Sequence, residues 1–134
     1  MADLARRLAQ AEAALATLEE IVGGASRSPI ERDGAVLRLI YTFEAVWKAC
    51  QTALAEREAL EVGSPNTAIR AARRLGWLSD EDAEAAVRIA RDRNLAVHMY
   101  RDEIGAQIDE RLPAHAALLR RWLEALRQRA ASDC

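Results

Sequence analysis

The sequence predicts an all-α fold, an antiparallel (up-down) four-helix bundle with one short inserted helix. Three observations predict it. Alanine, leucine, glutamate and arginine dominate the 134 residues, a composition that favours helix over strand. Apolar side chains recur at three- and four-residue spacing through four long stretches. Three prolines and six glycines punctuate the chain, and the linking segments are short or medium in length.

Each element can be justified in order. Leu4, Leu8, Ala11, Leu15, Leu18 and Val22 follow spacings of 4, 3, 4, 3 and 4, one face of a first helix that Gly23-Gly24 ends. Ser28-Pro29-Ile30-Glu31 is a start signal, with an N-cap serine, a proline at the first helical position and a capping-box glutamate. The second helix carries Val36, Ile40, Phe43, Trp47, Cys50 and Leu54 on one stripe and is expected to run to about Leu60. Gly34 inside it costs about 1 kcal/mol relative to alanine, so a close packing contact is expected there. Ser64-Pro65 opens a short helix that closes at Gly76, with Ile69, Ala72 and Leu75 inward and Arg70, Arg73 and Arg74 on an acid-free face. Ser79 caps the next helix, whose first turn holds Asp80, Glu81 and Asp82 at the positive end of the dipole. Its inner stripe is Ala83, Ala86/Val87 and Ala90. Ile104, Ile108, Leu112, His115, Leu119, Trp122 and Leu126 keep one helical phase across Pro113, which predicts a kinked last helix or two nearly coaxial segments. Trp47 and Trp122 belong to the core, Trp77 packs back onto the short helix, and His115 is core or interface.

The chain fits one domain over residues 1–134, with a tail from about Ala130 expected to fray. A net charge of −2 argues against a generic nucleic-acid coat protein but leaves room for a local basic site. Of the nineteen basic residues, eighteen are arginine, a planar bidentate donor that stays charged. Cys50 reads as a core thiol and Cys134 as a thiol at the chain end, both reduced. Arg6, Arg7 and Glu12 break any signal-peptide pattern, and no stretch approaches the roughly 20 apolar residues of a membrane span. A soluble, cytoplasmic protein that does not engage membranes is expected. The alanine-rich faces bury little area, which makes a homodimer an expected assembly.

The chemistry concentrates in Arg91-Asp92-Arg93-Asn94-Leu95-Ala96-Val97-His98-Met99-Tyr100. On an unbroken helix Asn94 and His98 occupy one stripe and Arg93 and Tyr100 another. Arg93 and His98 then lie about 140° apart, at about 100° per residue, and cannot clasp one phosphate alone. They can cooperate if the helix ends between them or if a second subunit supplies the complementary residue. Glu44 is either an ordinary partner of Lys48 or a carboxylate that orients Arg93 or His98. Arg70, Arg73, Arg74 and Arg91 are candidates for phosphate contacts, set against a plain solvated helix face for the first three. No His, Cys or carboxylate cluster suggests a metal.

Arg93-Asn94-…-His98-Met99-Tyr100 resembles the Arg-x4-His-x-Tyr motif of HEPN domains. Arg32-Asp33-Gly34 with Tyr41-Thr42-Phe43-Glu44-Ala45-Val46-Trp47-Lys48, Ser64-Pro65 and Leu75-Gly76-Trp77-Leu78 resemble one branch of that family, the nucleotidyltransferase substrate-binding proteins. The resemblance spans nearly the whole chain. It implies a helical homodimer that partners a minimal nucleotidyltransferase, as toxin to antitoxin. The chain would be a metal-independent endoribonuclease with Arg93 and His98 catalytic and Asn94 and Glu44 supporting. RNA would be its substrate, and adenylylation of Tyr100 by the partner would silence it. No cofactor is implied for this chain, because the partner would use the ATP. The alternative is a non-catalytic substrate-binding subunit of a two-component nucleotidyltransferase.

Overall fold

A computed structural model describes residues 2–24 and 26–131. Five helices follow in order: α1 (Ala2–Val22), α2 (Pro29–Glu58), α3 (Pro65–Arg74), α4 (Asp80–Met99) and α5 (Asp102–Ala131). The four long helices form the bundle and α3 is the short insertion. Helix α1 packs on α2 and α5, α4 packs on α5 and more lightly on α2, and α3 bridges α2 and α4. Helices α2 and α5 meet across the centre, while α1 and α4 occupy opposite corners.

Local chemistry places the helix boundaries. The Glu31 N–H donates to Ser28 Oγ and the Ser28 N–H to Glu31 Oε1, closing the capping box. Ser64 and Thr67 cap α3 in the same reciprocal way, and Ser79 Oγ accepts from the Asp82 N–H at 3.0 Å. Helix α2 stops at Glu58, two residues short of expectation, because Ala59 turns left-handed at φ 54° and the Leu60 N–H folds back to Leu54 O. Gly76 ends the α3 segment at φ +78°, a conformation open to glycine, and the Trp77 N–H returns to Ala72 O at 2.8 Å. Trp77 is thereby buried against α3, with the Arg129 guanidinium over its ring. Pro113 lies inside one continuous α5 despite the backbone bond it removes. Helix α5 continues through Ala131; the rest of the expected frayed tail, including Cys134, lies outside the described residues.

The core runs the length of the bundle through Leu15, Leu18, Leu39, Phe43, Leu54, Ile89, Ile108, Leu112, Leu119 and Trp122. Trp47 and Cys50 are buried with them, and burial pushes the Cys50 thiol up to about 12, so it stays protonated. Arginine clamps stitch the outside: Arg120 holds Glu12 and Glu19, Arg127 holds Glu12, and Arg121 holds Asp82. One expectation fails. Gly34 makes no close packing contact, since a Cβ there would meet nothing within 4 Å. It sits on the outward stripe of α2 with Ile30, Leu37 and Tyr41, while Val36, Leu39 and Phe43 face in.

No helix among the described residues is long and apolar enough to cross a membrane.

Candidate functional site

Helix α4 is unbroken from Asp80 to Met99, so Arg93 and His98 stay on different sides of one rod. A helix end between them, one of the two ways the pair could share a phosphate, does not occur. His98 and Asn94 are exposed and one turn apart in the last turns of α4. Arg93 instead turns toward α2. Its Nε lies 3.5 Å from Glu44 Oε1 and its guanidinium sits 5.7 Å from the centre of the Phe43 ring. At that distance the ion pair is longer than the roughly 2.7–2.9 Å of a charge-assisted hydrogen bond, and both facing atoms are buried without a hydrogen-bond partner. Charge and a π face hold Arg93, and no described residue takes its terminal nitrogens. Glu44 therefore pairs with Arg93, not Lys48, and its other oxygen accepts from Trp47 Nε1 at 3.3 Å.

Tyr100 caps α4 in extended conformation (φ −65°, ψ 127°), which swings its ring back across the α2 side. Its hydroxyl donates to the Asp33 carboxylate and lies against Gly105 at the start of α5. Burial, then the hydrogen bond to Asp33 and the charge of that carboxylate, push the phenol up to about 12, against a smaller pull from Arg32. The ring remains 38% exposed.

Beneath this surface lies a polar group that sequence reasoning missed. Asp92 is buried, accepting two hydrogen bonds from Arg111 at 2.7 and 2.8 Å and facing His115 Nε2 at 2.7 Å. Burial alone would raise its carboxyl. The hydrogen bonds from His115 and Arg111, with both charges, outweigh burial and hold it at about 2. The signal was present: Asp92 falls in phase between Ile89 and Ala96, and His115 is the polar residue on the apolar phase of α5. A buried carboxylate requires such a partner.

Of the basic candidates, Arg73 is tied to Asp80 of α4 at 2.7 Å, so the α3 face is not acid-free in space. Arg70, Arg74 and Arg91 are exposed and pair with no described carboxylate. Among the described residues, no three His, Cys, Asp or Glu side chains gather as metal ligands would.

The fold and this cluster define a class, a small helical bundle with its polar site on the penultimate helix. The family model described as "nucleotidyltransferase substrate binding protein like" matches residues 6–128, and the chain belongs to that family. A crystal structure of a Thermus thermophilus protein is 48% identical, covering 87% of this chain and 98% of that one, with a TM-score of 0.83. A chain from a mutant of the toxin–antitoxin pair MntA-HpeT shares the fold at 14% identity and a TM-score of 0.77, covering 93% and 97%. Comparison with curated proteins finds no match.

Proposed function

We propose that this chain is the HEPN-type toxin of a toxin–antitoxin pair with a minimal nucleotidyltransferase, cleaving RNA as a homodimer and silenced by adenylylation of Tyr100. The observation that carries the reading is the division of labour on α4: exposed His98 with Asn94 on one stripe, and Arg93 presented by Glu44 on another. His98 would take the proton from a ribose 2′-hydroxyl, or return one to the leaving oxygen, as an imidazole near neutral pH can do. Arg93 would stabilise charge developing on the scissile phosphate, and Asn94 would orient His98 or the phosphate. Since the two stripes diverge by about 140°, Arg93 of one subunit would serve His98 of the other. Adenylylation of Tyr100 would add a bulky anion at the same end of α4. RNA is the substrate class, and the reaction needs no metal from this chain. The family link to nucleotidyltransferases and the fold shared with a toxin–antitoxin chain support the partner assignment.

The test is direct. Protein purified free of its partner cuts single-stranded RNA, and His98→Ala and Arg93→Ala each lower the rate at least about a hundredfold, the usual worth of general acid–base catalysis. Uncut RNA, together with wild type and His98→Ala behaving alike in cells, overturns the reading. The second reading, a non-catalytic substrate-binding subunit, is favoured by the family's own description. It predicts activity only from the complex and no adenylylated Tyr100 by mass spectrometry after co-expression.

A further inference from the structure

Helices α3 and α4 leave an open groove of about 300 Å³ between them, lined by Ile69, Arg70, Val87, Arg88, Arg91 and Glu84 among others. That volume lies at the lower end of the roughly 300–1,000 Å³ of small-ligand sites. Many arginines elsewhere are spent on carboxylates, as in the Arg120, Arg121 and Arg111 clamps. Arg70, Arg88 and Arg91 line the groove exposed, and no described carboxylate forms an ion pair with them. Arg73 and Asp80, also in its wall, neutralise each other. The floor is apolar, with Ile69 and Ala83 buried and Val87 half-buried. Glu84, the other lining carboxylate, forms no ion pair among the described residues and acts on Arg73 through charge alone.

Three free guanidiniums over an apolar floor, with one carboxylate at the edge, match a nucleotide: phosphates to the arginines, a base or ribose face to Ile69 and Val87. Glu84 could accept a ribose hydroxyl, which DNA lacks at the 2′ position. The groove is also in line with His98. Residues 84, 91 and 98 recur every seven positions, so Glu84, Arg91 and His98 share one stripe of α4. Arg91 and His98 are separated by about 10 Å at 1.5 Å per residue, or on the order of three nucleotides at the roughly 3.4 Å axial spacing of a stacked strand. Arg6, paired with Asp3, belongs to α1, which packs on α2 and α5.

We propose that the α3–α4 groove is a nucleotide subsite for single-stranded RNA, holding the strand a few nucleotides from the bond at His98. The assignment adds Arg88, Glu84 and the Ile69/Val87 floor to the site, and it rests on the proposal that RNA is the substrate. Binding, measured apart from cleavage, tests it. A fluorescent oligoribonucleotide is titrated into full-length His98→Ala protein across a salt series, with circular dichroism confirming each variant's fold. Adding Arg88→Gln and Arg91→Gln together weakens binding about tenfold or more and lowers the salt slope by about 1.4, because two phosphate contacts to a single strand are lost. Adding Arg6→Gln instead leaves the affinity near that of His98→Ala alone. Glu84→Ala narrows the preference for the RNA over the DNA oligonucleotide. Affinity and slope unchanged in the folded Arg88→Gln/Arg91→Gln variant, or equal weakening by Arg6→Gln, overturns the subsite. So does the absence of RNA binding in His98→Ala protein. Because binding is read apart from cleavage, wild-type protein that leaves RNA uncut overturns the nuclease reading, while arginine-dependent binding by His98→Ala keeps the subsite.

Discussion

Two neighbours decide where the phenol of Tyr100 points and how readily it ionises. Asp33 accepts its hydrogen bond, and Gly105 offers a face without a side chain for the ring to lie on. The carboxylate favours the neutral phenol twice, by accepting its hydrogen bond and by repelling a phenolate. Asp33→Asn is therefore expected to bring the Tyr100 phenol down from about 12 part of the way to its ordinary 10, with burial keeping the remainder. Phenolate absorbance against pH reads this directly, with a Tyr100→Phe protein subtracting Tyr41; a midpoint still near 12 refutes it. Gly105→Ala should act through sterics instead. A Cβ there would stand 2.5 Å from the Tyr100 hydroxyl and 3.1 Å from Cζ, a contact the end of the side chain relieves by swinging away. The phenol then leaves Asp33 and titrates lower, while α5 is no less stable, because alanine is favoured over glycine in a helix by about 1 kcal/mol. Loss of folded protein on thermal melting, or an unshifted phenol, would contradict this.

At the scale of elements, Asp92 fastens α4 to α5 through Arg111 and His115, directly beneath the polar cluster. Its folded carboxyl, at about 2, lies below the ordinary 3.8, so the folded state binds the proton less readily than the unfolded chain. The stabilisation is complete above the ordinary value and is lost as pH falls through about 2. The shift corresponds to on the order of 2 kcal/mol at about 1.36 kcal/mol per unit. Asp92→Asn should cost about that much at neutral pH and flatten the acid limb of stability; denaturant midpoints from pH 7 to pH 2 decide it, and parallel curves for the two proteins would sink it. The same seam shows how far the sequence was legible. Helix phase, caps and glycine stops located α1 to α3 and the start of α4, because they are local and their chemistry is carried by two to four residues, as at Ser28–Glu31, whereas the break after Met99 carried no such signal. The partnerships between helices were less legible. Arg73 reaching Asp80, Arg93 reaching Glu44 and Tyr100 reaching Asp33 depend on the spatial offset of neighbouring helices, which periodicity leaves undetermined. Gly34 was misread for a related reason, since a glycine in a helix marks close approach only if its stripe faces a neighbour.

For the whole molecule, the outward stripe of α2 is the feature a lone subunit leaves unexplained. Ile30 is 82% and Leu37 59% exposed, Gly34 lies between them, and Val97 on α4 is 55% exposed. A shallow depression of about 350 Å³ between the two helices is lined by Val36, Leu37, Ile40, Ala96 and Tyr100, with Asp33 at the Tyr100 hydroxyl. A largely apolar face of this kind on a small protein marks an interaction surface. It adjoins Arg93 and Tyr100, where the two-subunit site proposed above needs a second copy. Leu37→Glu places a charge in that face without touching the core and, where the proposed homodimer forms through this face, should convert it to a folded monomer by sedimentation equilibrium, with the proposed RNA cleavage lost alongside. Gly34→Leu is a second probe from the opposite direction. The lone subunit has open space around a Cβ at that position, so folding is unaffected, whereas a copy packed over Gly34 would be pushed off. The combination is diagnostic. If both variants stay as dimeric and as active as the parent, the second subunit binds elsewhere, and Arg93 and His98 cannot meet across this face.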